Sequence, residues 1–575
     1  MKIKSTNIQV ESKKRDTVEV VMADGTILCG PRYTPVGEFM KVYQNPESPL
    51  IVGAIVNNDL RELTYPLSAD ATVSPITMSD SDGARIYRRS LTFLLEVAFL
   101  ELFPELTLTI DHSVSSGAYY CHVPEQEPFK GEALDKVEAR MRELVEEDAS
   151  MVREKVSLEE AKAFFRKHGQ IDKLRLLNYR SGNDLVLYDL KGKRDYHHGY
   201  MVPSTGYLNL FDLHLVGAGF VLRFPRRHAS DTLSPMASYP RLLSTFRQYG
   251  NWLEKLGIQS VGALNDAIAE GRASEVILVS EALHTQQVSS IANAIKKEKE
   301  KLRVILIAGP TSSGKTTFSK RLTIQLLTEG ISPFALEMDN YFVNREDTPK
   351  DADGHYDFEN LDALNRSMLN EHIEKLIKGE RVKLRHYDFH QGINQPGEEV
   401  QLEPGQMIIL EGIHGLNPKL LESIPPEQTF RIYVSCLTQL NLDRQNRIST
   451  TDTRELRRIL RDSRDRGYTA QQTINQWENV RRGEKSHIFP YQENADVMFN
   501  SALVYELTAL KPLVEPLLRQ VPCGTKEFIE AKRLFKFLQW FVPIDPNLIP
   551  DNSILREFIG DSILKGFKIW QHRLG

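Results

Sequence analysis

The sequence predicts a multidomain α/β chain: a doubly wound parallel sheet that carries a phosphate-binding loop, preceded by two smaller α+β units. Three observations predict it. The 575 residues are too many for one hydrophobic core. Residues 301–505 alternate short apolar runs with helical stretches, the pattern of βα units in a parallel sheet. The first of these runs, 303–308, passes directly into Gly309-Pro310-Thr311-Ser312-Ser313-Gly314-Lys315-Thr316 and then a helical stretch over 317–327 closed by Gly330. Strand, GxxxxGK[ST] and helix in that order is the context a phosphate-binding loop requires.

Taken from the start, residues 1–80 read as a small module. Asp24-Gly25 is a tight-turn signal between strands at 18–22 and 26–28, and Asn57-Asn58-Asp59 separates a second pair at 51–56 and 60–63. Residues 81–225 read as a second unit. Gly83-Ala84-Arg85 opens a helical stretch, 88–102, that ends before Pro104, and Leu134, Val137, Met141, Leu144 and Val145 share one helical face. Ser157 and Glu160 have capping-box spacing, and strands are expected at 185–190 and 219–224. Residues 226–300 read as a helical linker, 301–505 as the loop-bearing domain, and 506–575 as a helical extension.

Composition narrows the class. With 41% hydrophobic and 26% charged residues the chain is of ordinary globular make-up, and a net charge of −5 offers no bulk attraction to nucleic acid or anionic membrane. The four cysteines form no CxxC pair, which argues against a zinc ribbon or disulfide framework and fits a reducing, cytoplasmic compartment. The first sixteen residues lack the apolar segment of a signal peptide, and no apolar run is long enough to span a membrane.

The loop carries the chemistry. Gly309 to Thr317 would turn backbone N–H groups around phosphate oxygens at a helix N-terminus. Lys315 would reach the β- and γ-phosphates of ATP, and the Thr316 hydroxyl would ligate Mg²⁺. Two further runs, 333–339 and 407–411, end in the acids Asp339 and Glu411. Ligands of open α/β sheets bind beyond the carboxyl ends of the strands, so one acid could orient the acceptor hydroxyl while the other holds the metal. Residues 454–467 pack six arginines among acids. The expectation is a solvated, salt-bridged helix from which one or two arginines close over phosphate.

The motifs GPTSSGKTT, LEMDNYF, HYDFENLDAL, VKLRHYDF, ILEGIHGL, LRRILRDSRDRG and NADVMFNS resemble, in order and spacing, those of the uridine kinase and phosphoribulokinase family. The resemblance covers about 301–505 and implies a P-loop kinase fold, with ATP and Mg²⁺ and a nucleoside 5′-hydroxyl as acceptor. It assigns catalytic roles to Lys315, Asp339 and the lid arginines Arg461 and Arg466, and puts Glu411 with Thr316 near magnesium. It places the acceptor among Asp339, Tyr341, Glu359, Tyr387 and Phe389. The departures are Glu359 for a ribose-binding aspartate, Gly392 and Asn394 for a His and an Arg, and Tyr468 for a lid arginine. They leave the base open, and with it a sugar-like acceptor.

The N-terminal part resembles the N-terminal region of threonyl-tRNA synthetase. Residues 17–78 are similar to its ubiquitin-like TGS module, and 83–225 to its editing-type domain through RRSLTFLLEVAF, SSGAYY and DYHHGYMVP. The four polar positions of that family's hydrolytic site fall here on Phe93, Val97, His197 and Met201, so this half reads as a scaffold or binding module. RNA or tRNA binding by it, and with it an RNA-linked regulatory ATPase, is the alternative function; oligomeric state is left open.

Overall fold

The structure is a computed structural model that describes residues 15–45, 47–115, 117–350 and 354–567. The N-terminal stretch read for a signal peptide lies almost wholly outside these residues, as does the end of the C-terminal extension.

The first unit is a five-stranded sheet of β1 (Thr17–Met22), β2 (Ile27–Pro31), β3 (Ile51–Val56), β4 (Asp59–Arg61) and β5 (Ala71–Thr77), in the order β2-β1-β5-β3-β4. Both expected hairpins form. The first turns at Gly25 with φ +89°, and the second at Asn57 and Asn58, both with positive φ. Helix α1 (Val36–Tyr43) buries Phe39 and Met40 against Val18 and Val20.

In the second unit, α2 (Ser81–Leu102) starts two residues before the Gly83 opening read from sequence and ends at Leu102 as expected. It is followed by β6 (Thr109–Val114), β7 (Ala118–His122), α3 (Gly131–Glu146), β8 (Val152–Ser157), α4 (Leu158–Lys167), α5 (Ile171–Asn178), β9 (Asp184–Leu190), β10 (Lys193–Asp195), β11 (Asp212–Val216) and β12 (Gly219–Arg223). Two sheets form, β11-β12-β7-β6 and β10-β9-β8. Helix α3 buries Leu134, Val137, Met141 and Leu144, the face read from sequence. Ser157 Oγ accepts from the Glu160 amide at 3.2 Å, one half of the expected box.

Residues 226–300 do not behave as a spacer. Their helices α6 (Pro240–Leu256), α7 (Val261–Ala269) and α8 (Ala273–Lys297) share one hydrophobic core with the loop-bearing domain. Val288, Ile291 and Ile295 of α8 belong to the same cluster as Phe318, Leu322 and Leu326. The expected linker is therefore a wall of that domain, because its apolar face has nowhere else to be buried.

The loop-bearing domain contains β13 (Val304–Ala308), α9 (Lys315–Thr328), β14 (Phe334–Glu337), α10 (Arg366–Ile377), β15 (Val382–Asp388), β16 (Ile393–Val400), β17 (Ile408–Glu411), β18 (Thr429–Ser435), α11 (Thr450–Asp465), α12 (Ala470–His487) and β19 (Val497–Asn500). Its sheet runs β14-β17-β13-β18-β19 with every pairing parallel. The order puts β13 at the centre, where the chain leaves Ala308 for the loop. Helices α13 (Glu506–Arg519), α14 (Lys526–Leu538) and α15 (Arg556–Ile559) complete the chain. No helix among the described residues is long and apolar enough to cross a membrane.

Candidate active site

The loop between β13 and α9 is held in shape by partners distant in sequence. Gly314 sits at φ +85° and Ser312 at φ +56°, the left-handed geometry that turns successive amides inward. A Cβ on Gly309 would lie 1.9 Å from the Val434 carbonyl oxygen, so no other residue fits there. The loop carbonyls are pinned from α11: Arg454 donates to Thr311 O at 3.0 Å and Arg457 to Ser312 O at 3.4 Å. The Ser501 hydroxyl donates to Ser313 O at 2.5 Å. Glu484 takes the Thr311 amide at 3.0 Å and forms a buried pair with Arg454.

This corrects the expectation for the arginine-rich helix. Arg454 and Arg457 are 2% and 0% exposed, the latter paired with Glu506, and they brace the loop rather than face water. Arg461 and Arg466 sit differently from the phosphate clamp the resemblance implies. Both turn to Asp462, at 2.8 and 3.5 Å, a fully buried carboxylate they share with Arg458.

Lys315 is buried beside the loop, its ammonium donating to the Pro310 carbonyl at 3.2 Å. The Thr316 hydroxyl donates to Glu411 Oε2 at 3.2 Å. The parallel register brings Glu411, at the end of β17, and Asp339, just past β14, to the same edge of the sheet as the loop. Burial raises the Glu411 carboxyl to about 7; Asp339, Glu557 and Glu337 add to the rise and Lys315 opposes it. The Asp339 carboxyl keeps solvent access but lies deep in the cleft. Desolvation raises it and Glu337 adds, against Lys315 and Arg466. Glu359 faces the same cleft, raised to about 8 by burial and Glu484 while Arg458 and Lys315 pull it down; its Oε2 has no hydrogen-bond partner.

This donor set suits a hard divalent cation. The Thr316 hydroxyl and the carboxylates of Glu411 and Asp339 are all oxygen donors, and crowded acids with raised affinity for protons gain from a shared counter-charge. The Ser312 and Ser313 hydroxyls, buried and without partners, give the loop spare donors for phosphate oxygens.

Around the expected acceptor pocket the placements divide. Tyr387 is buried, stacked edge-on with Phe389 at 5.0 Å and with Phe342 at 5.6 Å, and its hydroxyl is unpartnered. Phe389 is 58% exposed and forms an outer wall. Tyr341 lies in the core instead: it is fully buried and its hydroxyl meets His372 Nδ1 at 3.0 Å. Asn394 is a brace, donating to the carbonyls of Asn340 and Phe342 at 2.8 and 2.9 Å. A Cβ on Gly392 would fall 2.8 Å from Arg345, which donates to Phe389 O at 2.6 Å and lies beside Tyr387. Arg345 thus brings a cation to the side of the pocket where Gly392 has none. No local motif marks it; only the fold of the 340–345 turn against the β15–β16 hairpin does.

One contact has no counterpart in the sequence reading. Glu557 Oε2 accepts from the Thr317 amide at 3.1 Å, at the N-terminus of α9. Ile554 packs over Gly314, and Lys320 donates to Leu564 O at 2.8 Å. The C-terminal segment therefore lies across the loop and puts a carboxylate on an amide that a phosphate could use.

Residues 304–507 match the phosphoribulokinase / uridine kinase family. That range covers the domain built on the loop. Two solved structures are similar to part of the chain: a putative fructose transport system kinase from Silicibacter sp. TM1040, at 16% identity over 37% of this chain and 98% of that one, with TM-score 0.26; and a possible uridine kinase from Bacillus stearothermophilus, at 20% identity over 35% and 89%, with TM-score 0.24. Among curated proteins, the N-terminal region is similar to threonine–tRNA ligases. That of Burkholderia lata is 34% identical over 170 residues, which is 29% of this chain and 27% of the ligase. That of Methylobacillus flagellatus is likewise 34% identical over 170 residues. The chain thus spans about a quarter of the length of the curated relatives it matches.

In the ligase-like region, Phe93, Val97 and Met201 are core residues, at most 1% exposed. His197 packs edge-on against Phe93 at 5.1 Å, and burial lowers its imidazole to about 4. Glu96 and Asp195 join it, two acids that sequence reasoning missed. The Lys173 ammonium pairs with Asp195, both side chains being buried, while Glu96 Oε2 and His197 Nε2 are buried without hydrogen-bond partners.

Proposed function

We propose that this chain is an ATP-dependent kinase that transfers the γ-phosphoryl group to the hydroxyl of a small acceptor, best a nucleoside 5′-hydroxyl. The observation that carries the reading is the meeting of Lys315, Thr316, Glu411 and Asp339 at one edge of one sheet, with Glu359 beside them; the Tyr387–Phe389 pair would supply the wall for an acceptor. Asp339 would accept the proton of the acceptor hydroxyl as that oxygen approaches phosphorus in line. Lys315 would offset charge on the transferring group, with Ser312, Ser313 and the loop amides holding phosphate oxygens. Thr316 and Glu411 would hold Mg²⁺, which when bound neutralises charge on the phosphates. Arg466, felt by Asp339, is the nearer of the two lid arginines for a closing movement. Four unpaired cysteines accord with work in a reducing, cytoplasmic compartment.

The test is ATP turnover with a panel of uridine, cytidine, adenosine, guanosine, inosine and ribose, and with RNA in place of them. Turnover that requires a nucleoside supports the reading. With Asn394 spent as a brace and Arg345 in the pocket wall, the preference for uridine and cytidine should stay below roughly a hundredfold. Turnover raised only by RNA would favour the second reading, an RNA-linked ATPase, which the ligase-like region motivates.

A further inference from the structure

A cavity of about 550 Å³ lies where the ligase-like unit meets the kinase domain. Its walls come from α2, the β6–β7 hairpin, the 224–246 segment, the end of β18, α11, α12 and the residues just after it, and Pro310 of the phosphate-binding loop. Eight of its lining residues are arginine or lysine, and one, Glu493, is acidic.

Pairing accounts for only part of this charge. Arg85 is held by Asp82 and Glu530, Arg227 by Glu478 at 2.6 Å, and Arg454 by Glu484. The Glu493 carboxylate is taken up by the backbone amides of Arg241 and Leu242 at the start of α6. Among the described residues, Arg88, Arg226, Arg481 and Lys485 have no carboxylate partner. Arg447 has only the Ser113 hydroxyl, at 3.2 Å, and the Tyr119 ring, at 4.8 Å. The Nε atoms of Arg88 and Arg447 are buried and have no hydrogen-bond partner.

Such an arrangement is costly to the empty protein. Burial lowers Lys485 to about 8, with Arg481 and Arg227 adding, and burial also lowers Arg88 and Arg481. The Tyr119 hydroxyl, though buried, is lowered by Arg88 and Arg447. Glu478, already paired with Arg227, is the carboxylate that Arg481 and Lys485 also feel, so the cations outnumber their counter-ions, and such an excess is retained where an anion completes it.

We infer that this cavity binds a small phosphorylated organic molecule, at a site that is distinct from the phosphate cradle and touches the loop only at Pro310. Several unpaired cations in one chamber match a multiply charged phosphate rather than a single carboxylate. Tyr119, Phe246 and Phe489 give the chamber apolar wall for an organic body, and its volume is that of a small-molecule site rather than a groove for a polymer. Separation comes from strand order. Asp339 and Glu411 stand on the β14–β17 side of β13, whereas the cavity opens beside Tyr433 and Ser435 on the β18 side. Both halves of the fused chain contribute cations, so neither alone forms the site.

The experiment is calorimetric titration of the full chain with inorganic pyrophosphate, ribose 5-phosphate and AMP, in a Lys315→Ala background that disables the loop. Saturable binding of at least one probe should persist there. Arg481→Gln and Arg226→Gln should each weaken it by about tenfold or more, the scale of a lost charge-assisted hydrogen bond. Lys485→Met supplies a readout that a merely structural lysine would not give. Without ligand the variant should melt no lower than its parent, and its probe-induced rise in Tm should shrink. The inference is overturned if no probe binds up to millimolar concentration, or if Lys315→Ala abolishes binding that Arg481→Gln and Arg226→Gln leave intact. It is overturned too if an RNA oligonucleotide binds through these arginines and none of the three probes competes. A chain without kinase activity that still shows the arginine-dependent binding would leave this inference standing while removing the proposed function.

Discussion

Replacing Glu411 by Gln should make the ligand-free protein more stable at pH 8 while abolishing turnover. Glu411 sits among Asp339, Glu337 and Glu557, and its carboxyl is raised from 4.5 to about 7. Each unit of such a shift is about 1.4 kcal/mol, so the ionised form carries a penalty of at most about 3 kcal/mol. Partial solvent access and the attraction of Lys315, lost in the variant, reduce the expected gain to about 1–2 kcal/mol. The sign is set by proton counts. Between about pH 4.5 and 7 the folded state binds more protons at this group than the unfolded state, so stability falls as pH rises through that window. Glutamine does not titrate, so the advantage of the variant should be small at pH 5 and complete by pH 8. Thermal melts at the two pH values read it, since about 1 kcal/mol moves Tm by a few degrees in a domain of this size. A variant less stable than the parent at pH 8, or a difference independent of pH, would refute the picture of a strained acid cluster. Mg²⁺ with nucleotide should stabilise the parent more than the variant.

Lys315→Ala should abolish phosphotransfer while the fold survives: its one hydrogen bond is to Pro310 O, and losing its pull on Glu411, Asp339 and Glu359 should lower the melt only modestly, since those acids can take up protons instead; near-parental turnover would sink its assignment. Asp339→Asn should lower kcat by about 10²–10⁴-fold with little change in ATP affinity. A loss confined to ATP binding would instead make Asp339 a metal ligand. Glu557→Gln should raise nucleotide affinity several-fold, since a charge on the Thr317 amide competes with phosphate at a helix N-terminus. Weaker nucleotide binding in that variant would show the carboxylate to be supportive rather than competing. The full chain should not hydrolyse mischarged tRNA esters, because Phe93, Val97 and Met201 are core residues; deacylation lost on His197→Ala would contradict this.

What could be read from the sequence was local. The turns at Asp24-Gly25 and Asn57-Asn58 formed because two residues suffice to set their dihedrals. The α3 face and the Ser157 cap were legible from spacing along a single helix. Asp339 and Glu411 could be placed at one sheet edge because each directly succeeds an apolar run, and parallel strands share an edge.

The misreadings all involve partners distant in the chain. Arg454 and Arg457 look like surface arginines among acids, but Glu484 and Glu506, beyond the helix, draw them inside. The apolar face of 240–297 gave no hint of which core it would join. Tyr341 stood in an acceptor motif, yet His372 took its hydroxyl into the core.

By itself, then, the sequence determined the phosphate-binding loop, the acids after the strands and the apolar identities Phe93, Val97 and Met201 in the ligase-like half, since each depends on contiguous residues or single identities. Only the tertiary structure decided how the loop is braced, that Glu557 reaches Thr317 across 240 positions, and that cations from two fused units line one chamber. The physical reason is that charge is neutralised by whatever folding brings within a few ångströms, and spacing along the chain carries no record of that.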